Sequence, residues 1–213
     1  MLVDEQESDI VLTAARPAQK GFTVLELMIV MVVGAILISV ALPSFTQVIR
    51  NNSVGSAAEL IQNALRQAEG EAIRRNGEVD FMLTDGSPSA ASVSSLVAKA
   101  NGLNWAIRMV DSTASNRYVN GSTTSQMAEG VTYQGPAGVR FNGSGRVLDL
   151  TSAPVGGKQI FRVSRTSAAV AYCVFVTPGG AVKMCDPSKA SGDPRACQPM
   201  LSASDCPAAQ EMS

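Results

Sequence analysis

Between residues 22 and 42 the chain is apolar apart from Thr23, Glu26, Gly34 and Ser39. As a helix such a run covers roughly 30 Å, the thickness of one bilayer core. Past Pro43 the apolar positions thin to Val54, Ala57, Ala58, Ile61, Ala64, Leu65, Ala68, Ala72 and Ile73, mostly three or four apart, with Arg50, Glu59, Arg66, Glu69, Glu71, Arg74 and Arg75 mostly off that line. This pattern predicts that the helix continues with one face buried on a soluble domain. Arg74-Arg75 and then Asn76-Gly77 mark its end: cations suit the negative pole of a helix, and Asn-Gly suits a left-handed cap. The predicted helix runs on the order of 80 Å, kinked or loosened at Pro43, where an N–H is missing.

The periodicity then drops to two. Val79, Phe81 and Leu83 alternate, as do Leu103, Trp105, Ile107 and Met109; further strands are expected at 131–133, 139–141, 147–150, 160–163, 170–177 and 181–184. Asn142-Gly143-Ser144-Gly145 and Pro178-Gly179-Gly180 read as hairpin turns. Stretches 85–99 and 111–130, rich in Ser, Ala, Thr and Gly, are expected to be long surface loops. Antiparallel strands beside an amphipathic helix predict an α+β domain, of about 135 residues and large enough for its own core. The organisation expected is residues 1–21 as a leader, 22–45 as a transmembrane and assembly helix, 46–77 as its amphipathic second half, and 78–213 as a β-rich domain.

Charge orients the apolar run. Arg16 and Lys20 precede it and no charge follows Glu26 until Arg50, which leaves residues 1–20 cytoplasmic and the remainder exported. A secretory signal peptide fits poorly, despite the small-x-small Ser39-Val40-Ala41: the run is too long and Asp4, Glu5, Glu7 and Asp9 make the preceding region acidic. That acidic start is also what an upstream start-site assignment would produce. A generic single-span anchor accounts for length and orientation but not for Glu26, since a charge at membrane depth costs about 2.5–3.5 kcal/mol even on the lenient scale and persists where it has a specific partner.

The chain has no histidine and four cysteines. Without histidine, Ser-His-Asp and Cys-His catalysis are excluded, and no phosphate loop or carboxylate pair stands out, so no catalytic residue, cofactor or metal is assigned. Cys173, Cys185, Cys197 and Cys206 lack Cys-x-x-Cys spacing, which argues against zinc; on an exported chain they predict two disulfides. If Thr177 pairs with Ala181 across the Pro178-Gly179-Gly180 turn, Cys173 falls opposite Cys185. The pairing expected is therefore Cys173–Cys185 with Cys197–Cys206, the rival being Cys185–Cys197 with Cys173–Cys206.

Lys20-Gly21-Phe22-Thr23-Val24-Leu25-Glu26-Leu27, followed by the apolar helix and Pro43, resembles the class III signal of type IV pilins and type II secretion pseudopilins. The resemblance implies a pilin fold, cleavage by a prepilin peptidase between Gly21 and Phe22, and N-methylation of Phe22. It also implies that Glu26 is the assembly carboxylate. Chemistry agrees: the new ammonium keeps its charge on methylation, and Glu26, about one turn away, can neutralise it or that of a neighbouring subunit. Glu26 also lies where the helix dipole favours an anion, and glycine best admits a peptidase to the backbone.

Asn51-Asn52, Glu71-Ala72-Ile73-Arg74-Arg75-Asn76, Phe141-Asn142-Gly143-Ser144-Gly145-Arg146-Val147, Thr177-Pro178-Gly179-Gly180, Cys185-Asp186-Pro187 and Asp193-Pro194-Arg195-Ala196-Cys197 resemble the GspH/FimT group, and the proline and cysteine motifs resemble its FimT/FimU pilus members more than the secretion pseudopilin. The resemblance implies a minor pilin that primes or caps a pilus, the alternative being a type II secretion minor pseudopilin. Implied partners are the prepilin peptidase, other minor pilins and the major pilin, the inner-membrane assembly platform and the lipid bilayer. The implied location is a single pass through the inner membrane with a periplasmic domain, then the filament, at or near its tip.

Some FimT relatives bind DNA through a basic Gly-Arg-x-Arg stretch; here Gly180-Ala181-Val182-Lys183 stands in its place. Arg162, Arg165, Lys183 and Arg195 are the candidate DNA patch. Loss of the first arginine, replacement of the second by lysine and a pI near 5.5 disfavour it.

Overall fold

The computed structural model describes residues 21–111, 117–123, 130–201 and 204–206. They divide between two compact units, the first ending at Leu42 and the second beginning at Pro43. A single helix, α1 (Val24–Arg75), begins in the first and ends in the second. It ends as the Asn-Gly signal predicts. Asn76 takes a left-handed φ of 48°, its N–H donates to the Ile73 carbonyl at 3.2 Å, and Gly77 N–H donates to the Ala72 carbonyl at 3.1 Å. This pair of bonds satisfies carbonyls that the last turn would otherwise leave open. Arg74 and Arg75 in that turn both reach Glu71, at 2.6 and 2.8 Å.

In the second unit the helix buries Val54, Ala57, Ala58, Ile61, Ala64, Leu65, Ala68 and Ala72. The preponderance of alanine on this face lets backbone approach backbone, so neighbouring strands pack closely. Ile73 departs from the predicted stripe: it is 52% exposed, because Ala72 takes the core-facing position at that turn.

Among the described residues nine strands follow: β1 (Val79–Thr84), β2 (Asn104–Met109), β3 (Tyr118–Ser122), β4 (Val131–Gln134), β5 (Gly138–Phe141), β6 (Val147–Leu148), β7 (Gln159–Arg165), β8 (Tyr172–Val176) and β9 (Val182–Cys185). They form two sheets, in the orders β3-β2-β1-β5-β6 and β4-β7-β8-β9. All neighbours within each sheet are antiparallel. The expected combination of a long helix with an antiparallel β-rich domain is present.

Both sheets contribute to one core. Phe81 of β1 meets Phe161 of β7 edge-on with ring centroids 5.2 Å apart, and stacks on Trp105 of β2 at 6.2 Å; such aromatic pairs add roughly 0.5–1.5 kcal/mol beyond area burial. Alternation along β1 sends Val79, Phe81 and Leu83 into this core and Met82 to the opposite face, where it packs with Val93, Leu96 and Ala106.

Two loop expectations change. Stretch 85–99 contains no strand, but it is not a loose surface loop: Val93 and Leu96 are buried, and Val93 N–H donates to the Ser89 carbonyl at 3.0 Å. Val93 and Leu96 pack with Met82 and Ala106, and Lys99 N–H donates to the Leu83 carbonyl at 2.9 Å, so the stretch lies against the sheet. Stretch 111–130 contains β3, an edge strand that the Ser-, Ala-, Thr- and Gly-rich composition of the stretch hides. Residues 112–116 and 124–129 of that stretch lie outside the described residues.

The turns before β6 and β9 meet. Val147 N–H donates to the Pro178 carbonyl at 3.0 Å, tying the two sheets together at one end. Gly145 and Gly180 have φ of 77° and 95°. A Cβ on Gly180 would collide with the Gly145 carbonyl oxygen and lie 2.7 Å from Glu69 Oε1. Burial raises the pKa of Glu69 above the usual carboxylate range, with Arg66 partly offsetting the shift.

Gly180→Ala is expected to destabilise the domain by about 2 kcal/mol, because it adds a side chain at positive φ and into a backbone contact. Gly156, with nothing within 4 Å of its Cβ position, provides the comparison. Its alanine variant should change stability by about 0.5 kcal/mol or less. Chemical denaturation followed through Trp105 fluorescence checks this; equal midpoints for the two variants would refute the turn-contact account.

Candidate functional site

Gly21 and Phe22 are exposed and immediately precede the helix, with Thr23 as its cap: Thr23 Oγ1 accepts the Glu26 N–H at 3.2 Å, and the Thr23 carbonyl accepts the Leu27 N–H at 3.2 Å. Thr23-x-x-Glu26 has the spacing of a capping box, a signal readable in the sequence. It places Glu26 in the first turn, at the positive pole of the helix. Beyond it the large apolar side chains are bare. Phe22 is 82% exposed and Leu25, Ile29, Val32, Ile36 and Leu37 are all more than half exposed. Among the described residues this is the one helix long and apolar enough to cross a membrane. The helix continues through Pro43, whose carbonyl accepts the Thr46 hydroxyl at 2.9 Å.

Asn51, in the first of the Asn-Asn pair, has a definite anchoring role. Its Oδ1 accepts the Ala169 N–H at 2.9 Å, and Ser53 Oγ accepts Arg165 Nη1 at 3.0 Å. The turn between β7 and β8 is thereby fixed to the helix.

A buried charge cluster escaped sequence reading. Asp80 on β1 is 1% exposed and is flanked in register by Arg108 on β2 and Arg140 on β5. Arg140 donates through Nε to Asp80 Oδ1 at 2.6 Å and through Nη2 to Oδ2 at 3.2 Å, while Arg108 Nε reaches Oδ2 at 3.3 Å. Arg140 Nη1 also reaches Glu78 Oε2 at 3.2 Å and Ser152 Oγ at 2.8 Å. Its hydrogen bonds to Asp80 raise the Arg140 pKa further. Arg108 Nη1 donates to the carbonyls of Val93 and Leu96 at 3.4 and 3.2 Å, which joins stretch 85–99 to the cluster. The alternating Asp80, Arg108 and Arg140 carry the signal, but only strand register reveals it.

The cysteines require a correction. Thr177 N–H donates to the Ala181 carbonyl at 3.1 Å and Cys173 lies opposite Cys185, the register expected from the turn. Yet the bridges are Cys173–Cys206 and Cys185–Cys197, with Cα separations of 6.2 and 4.8 Å, and not Cys173–Cys185 with Cys197–Cys206. Two physical reasons account for this. Cys173 and Cys185 lie four residues from the hydrogen-bonded Thr177–Ala181 pair and share its character, and at such pairs the side chains are farther apart. Past β9, Asp186 N–H donates to the Arg195 carbonyl at 2.7 Å and Asp186 bridges Ala196, which brings Cys197 beside Cys185. The four half-cystines and Phe175 form a separate buried cluster, against which Ile160 and Leu201 pack.

The four basic residues do not form one patch. Arg162 is 3% exposed, with Nη1 bonded to Gln134 Oε1 at 2.9 Å and Ser164 Oγ at 3.0 Å; burial lowers its pKa. Arg165 is turned to Ser53 on the helix. Lys183 is exposed on β9, and Arg195 is paired with Asp193 at 3.4 Å. Burial and helix contacts therefore remove two of the four from a phosphate-binding surface. Among the described residues no group of His, Cys, Asp and Glu has the arrangement of a metal site.

Two family models match the sequence. The one described as "Prokaryotic N-terminal methylation motif" matches residues 16–42, and the one described as "Type II transport protein GspH" matches residues 57–180. The chain is similar to the type IV minor pilin FimU of Pseudomonas aeruginosa strain PAO1, in its P21 crystal structure, at 16% identity and a TM-score of 0.47, covering 66% of this chain and 94% of that one. The P65 crystal structure of FimU gives 14% identity and 0.45, covering 65% and 97%. The minor pseudopilin EpsH from the type 2 secretion system of Vibrio cholerae gives 12% and 0.44, covering 64% and 99%. No curated protein matches.

Proteolysis of the oxidised chain without reductant, followed by mass spectrometry, is expected to yield peptides linking Cys173 to Cys206 and Cys185 to Cys197. A Cys173–Cys185 peptide as the main product would contradict the placement of the tail. Because one bridge holds the tail beside Asp186 and the other returns it to β8, Cys206→Ala is expected to expose the Phe175 face and increase binding of a hydrophobic dye.

Proposed function

The chain belongs to the GspH family, in the GspH/FimT group of the type IV pilin superfamily, and from that premise we propose that it is a minor type IV pilin that helps prime or cap pilus assembly. The family is one of structural pilins and pseudopilins rather than enzymes. The observation that carries the reading is the lone carboxylate of Glu26, in the first turn of an otherwise uncharged apolar run, within a stretch matched by the methylation motif. A prepilin peptidase cuts between Gly21 and Phe22, and Phe22 is then N-methylated.

The apolar helix holds the chain in the inner membrane, with the β-rich domain on the periplasmic side. Desolvation in the bilayer makes the ammonium–carboxylate attraction strong, so Glu26 draws the subunit into register with a neighbour's N-terminus. Pro43 lies within the bare apolar segment, which continues through Phe45 and Val48 before the helix is first buried at Val54. Prepilin peptidase, other minor pilins, the major pilin, the assembly platform and the lipid bilayer are the partners of this cycle.

A second reading is a minor pseudopilin of the type II secretion system, favoured by the description of the matching family model as a type II transport protein. DNA capture is disfavoured, since Arg162 is buried and Arg165 faces the helix. Deletion of the gene, scored for surface pili, twitching and protein secretion, separates the first two readings. Loss of pili and twitching with intact secretion is expected; lost secretion with intact pili would establish the pseudopilin reading instead.

Replacement of Gly21 by a bulky residue is expected to leave the chain uncleaved in the inner membrane, visible as a shift in mass on blotting of membrane fractions. Normal processing would contradict the cleavage assignment. Glu26→Ala is expected to be cleaved normally but to fail in methylation or in entry to sheared filaments, and normal levels of both would remove the docking role of Glu26.

A further inference from the structure

Asparagine precedes glycine four times in the chain, at Asn76, Asn101, Asn120 and Asn142. Such a pair is chemically labile, because a glycine nitrogen, unshielded by a side chain, can close a five-membered ring on the asparagine amide carbon. The two atoms must first be brought together, so local hydrogen bonding decides which pairs react. Three of the four are held apart. Gly77 N–H is committed to the Ala72 carbonyl at 3.1 Å in the helix cap, and Asn76 Oδ1 lies 2.6 Å from the Cβ position of Gly143, against which it is packed. Gly102 N–H donates to the Lys99 carbonyl at 3.2 Å, while Asn101 Oδ1 accepts the Gly135 N–H at 2.8 Å. Asn142 Oδ1 accepts the Ser144 N–H at 3.1 Å, the Ser144 hydroxyl at 2.8 Å and the Arg146 N–H at 3.0 Å, which turns its amide away from Gly143.

Asn120 differs from all three. The Gly121 N–H donates to the Oδ1 of Asn120 itself at 2.8 Å, which keeps the nitrogen within about 4 Å of the amide carbon, one C=O bond further on. Asn120 is exposed, on an edge strand that is irregular at this point: Arg108 pairs with Tyr118 and Ile107 with Asn120, so Val119 is skipped. A bulge of this kind loosens the ladder locally. The fold nevertheless requires the glycine, since a Cβ at Gly121 would lie 2.5 Å from Pro88 Cβ and 3.0 Å from the Trp105 carbonyl oxygen. The remaining amide atom, Asn120 Nδ2, donates to Gln67 Oε1 at 2.8 Å and ties β3 to α1.

We infer that Asn120 is a site of self-modification: the Gly121 nitrogen bonds to the Asn120 amide carbon, Nδ2 leaves as ammonia with the proton lost by that nitrogen, and water opens the resulting succinimide to aspartate or isoaspartate. Water is the one co-reactant, and no electrons are exchanged. Either product puts a carboxylate where Nδ2 donated to Gln67, which ends the present tie between β3 and α1. Isoaspartate also adds a backbone carbon to a strand that is already bulged. The chemistry is independent of which filament the chain enters.

The full-length oxidised chain in detergent is incubated at neutral and at mildly alkaline pH, beside a portion reduced and unfolded in guanidinium chloride. Digests made at acidic pH are followed by mass spectrometry for amide-to-acid conversion in each Asn-Gly peptide. In the folded chain Asn120 is expected to convert about tenfold faster than Asn76, Asn101 and Asn142, and faster at the higher pH, because the attacking nitrogen must lose its proton. In the unfolded chain the four rates are expected to fall within about threefold of one another, since the hydrogen bonds that separate them are gone. An isoaspartyl methyltransferase is expected to label the Asn120 peptide of the folded chain. Conversion of another Asn-Gly pair in the folded chain at the rate of Asn120 or above, an intact Asn120 after the unfolded chain has reacted, or conversion without isoaspartate would each overturn the inference. None of these results bears on cleavage at Gly21 or on piliation, so the minor-pilin reading stands or falls separately.

Discussion

The domain depends on one constraint: a single alanine-lined face of α1 has to be covered by two sheets at once. Neither sheet is sufficient by itself, since β7 and β8 supply Phe161, Val163, Val174 and Val176 to the same core that receives Phe81, Leu83, Trp105 and Ile107 from β1 and β2. Small residues on the helix make the approach close, and that closeness explains why the joint between sheets is made of glycine. At Gly145 and Gly180 two turns meet each other and the helix at Glu69. The glycine motifs that stand out in the sequence are therefore consequences of the helix packing, not independent features.

The opposite face of the β1 sheet has a different solution. Sheets with both faces covered are usually apolar on both, but here Asp80, Arg108 and Arg140 lie side by side across three strands. Breaking such a cluster by removing one partner typically costs about 3–5 kcal/mol, because an uncompensated charge remains buried, whereas its net contribution over an apolar replacement is small. Its value is therefore geometric. Asp80 faces both arginines only in the observed register, and Arg108 further fixes the carbonyls of Val93 and Leu96. A one-residue slip of β1 would turn Phe81 outward and the aspartate into the core.

Local signals were readable and long-range ones were not. The capped end at Asn76, the alternation of β1 and β2 and the register of the β8–β9 hairpin follow from period and turn chemistry within a few residues. β3 was hidden because its pairing with β2, not its own Tyr-Val-Asn-Gly-Ser composition, makes it a strand. The rank of the two disulfide pairings was inverted for a related reason. Hairpin register was available from the sequence, but the return of the tail to Asp186 was not, and without that contact the directly opposed cysteines looked best placed. Arg162 looked like surface charge because nothing in its neighbourhood announces that Gln134 and Ser164 enclose it.

The tail resolves a problem that the helix creates. With α1 covering one face of the β7–β8–β9 sheet, the other face carries Ile160, Phe175 and two cysteines, too little apolar area to hold a loop-rich segment against its chain entropy of about 1–2 kcal/mol per ordered residue. Two disulfides change the balance by removing open conformations from the unfolded chain, each worth typically about 2–4 kcal/mol. A cross-strand Cys173–Cys185 bridge would have closed only the hairpin, which its own hydrogen bonds already close. Bridging each strand cysteine to the tail places the constraint where the hydrophobic driving force is weakest, and fastens the last segment to two adjacent strands instead of one.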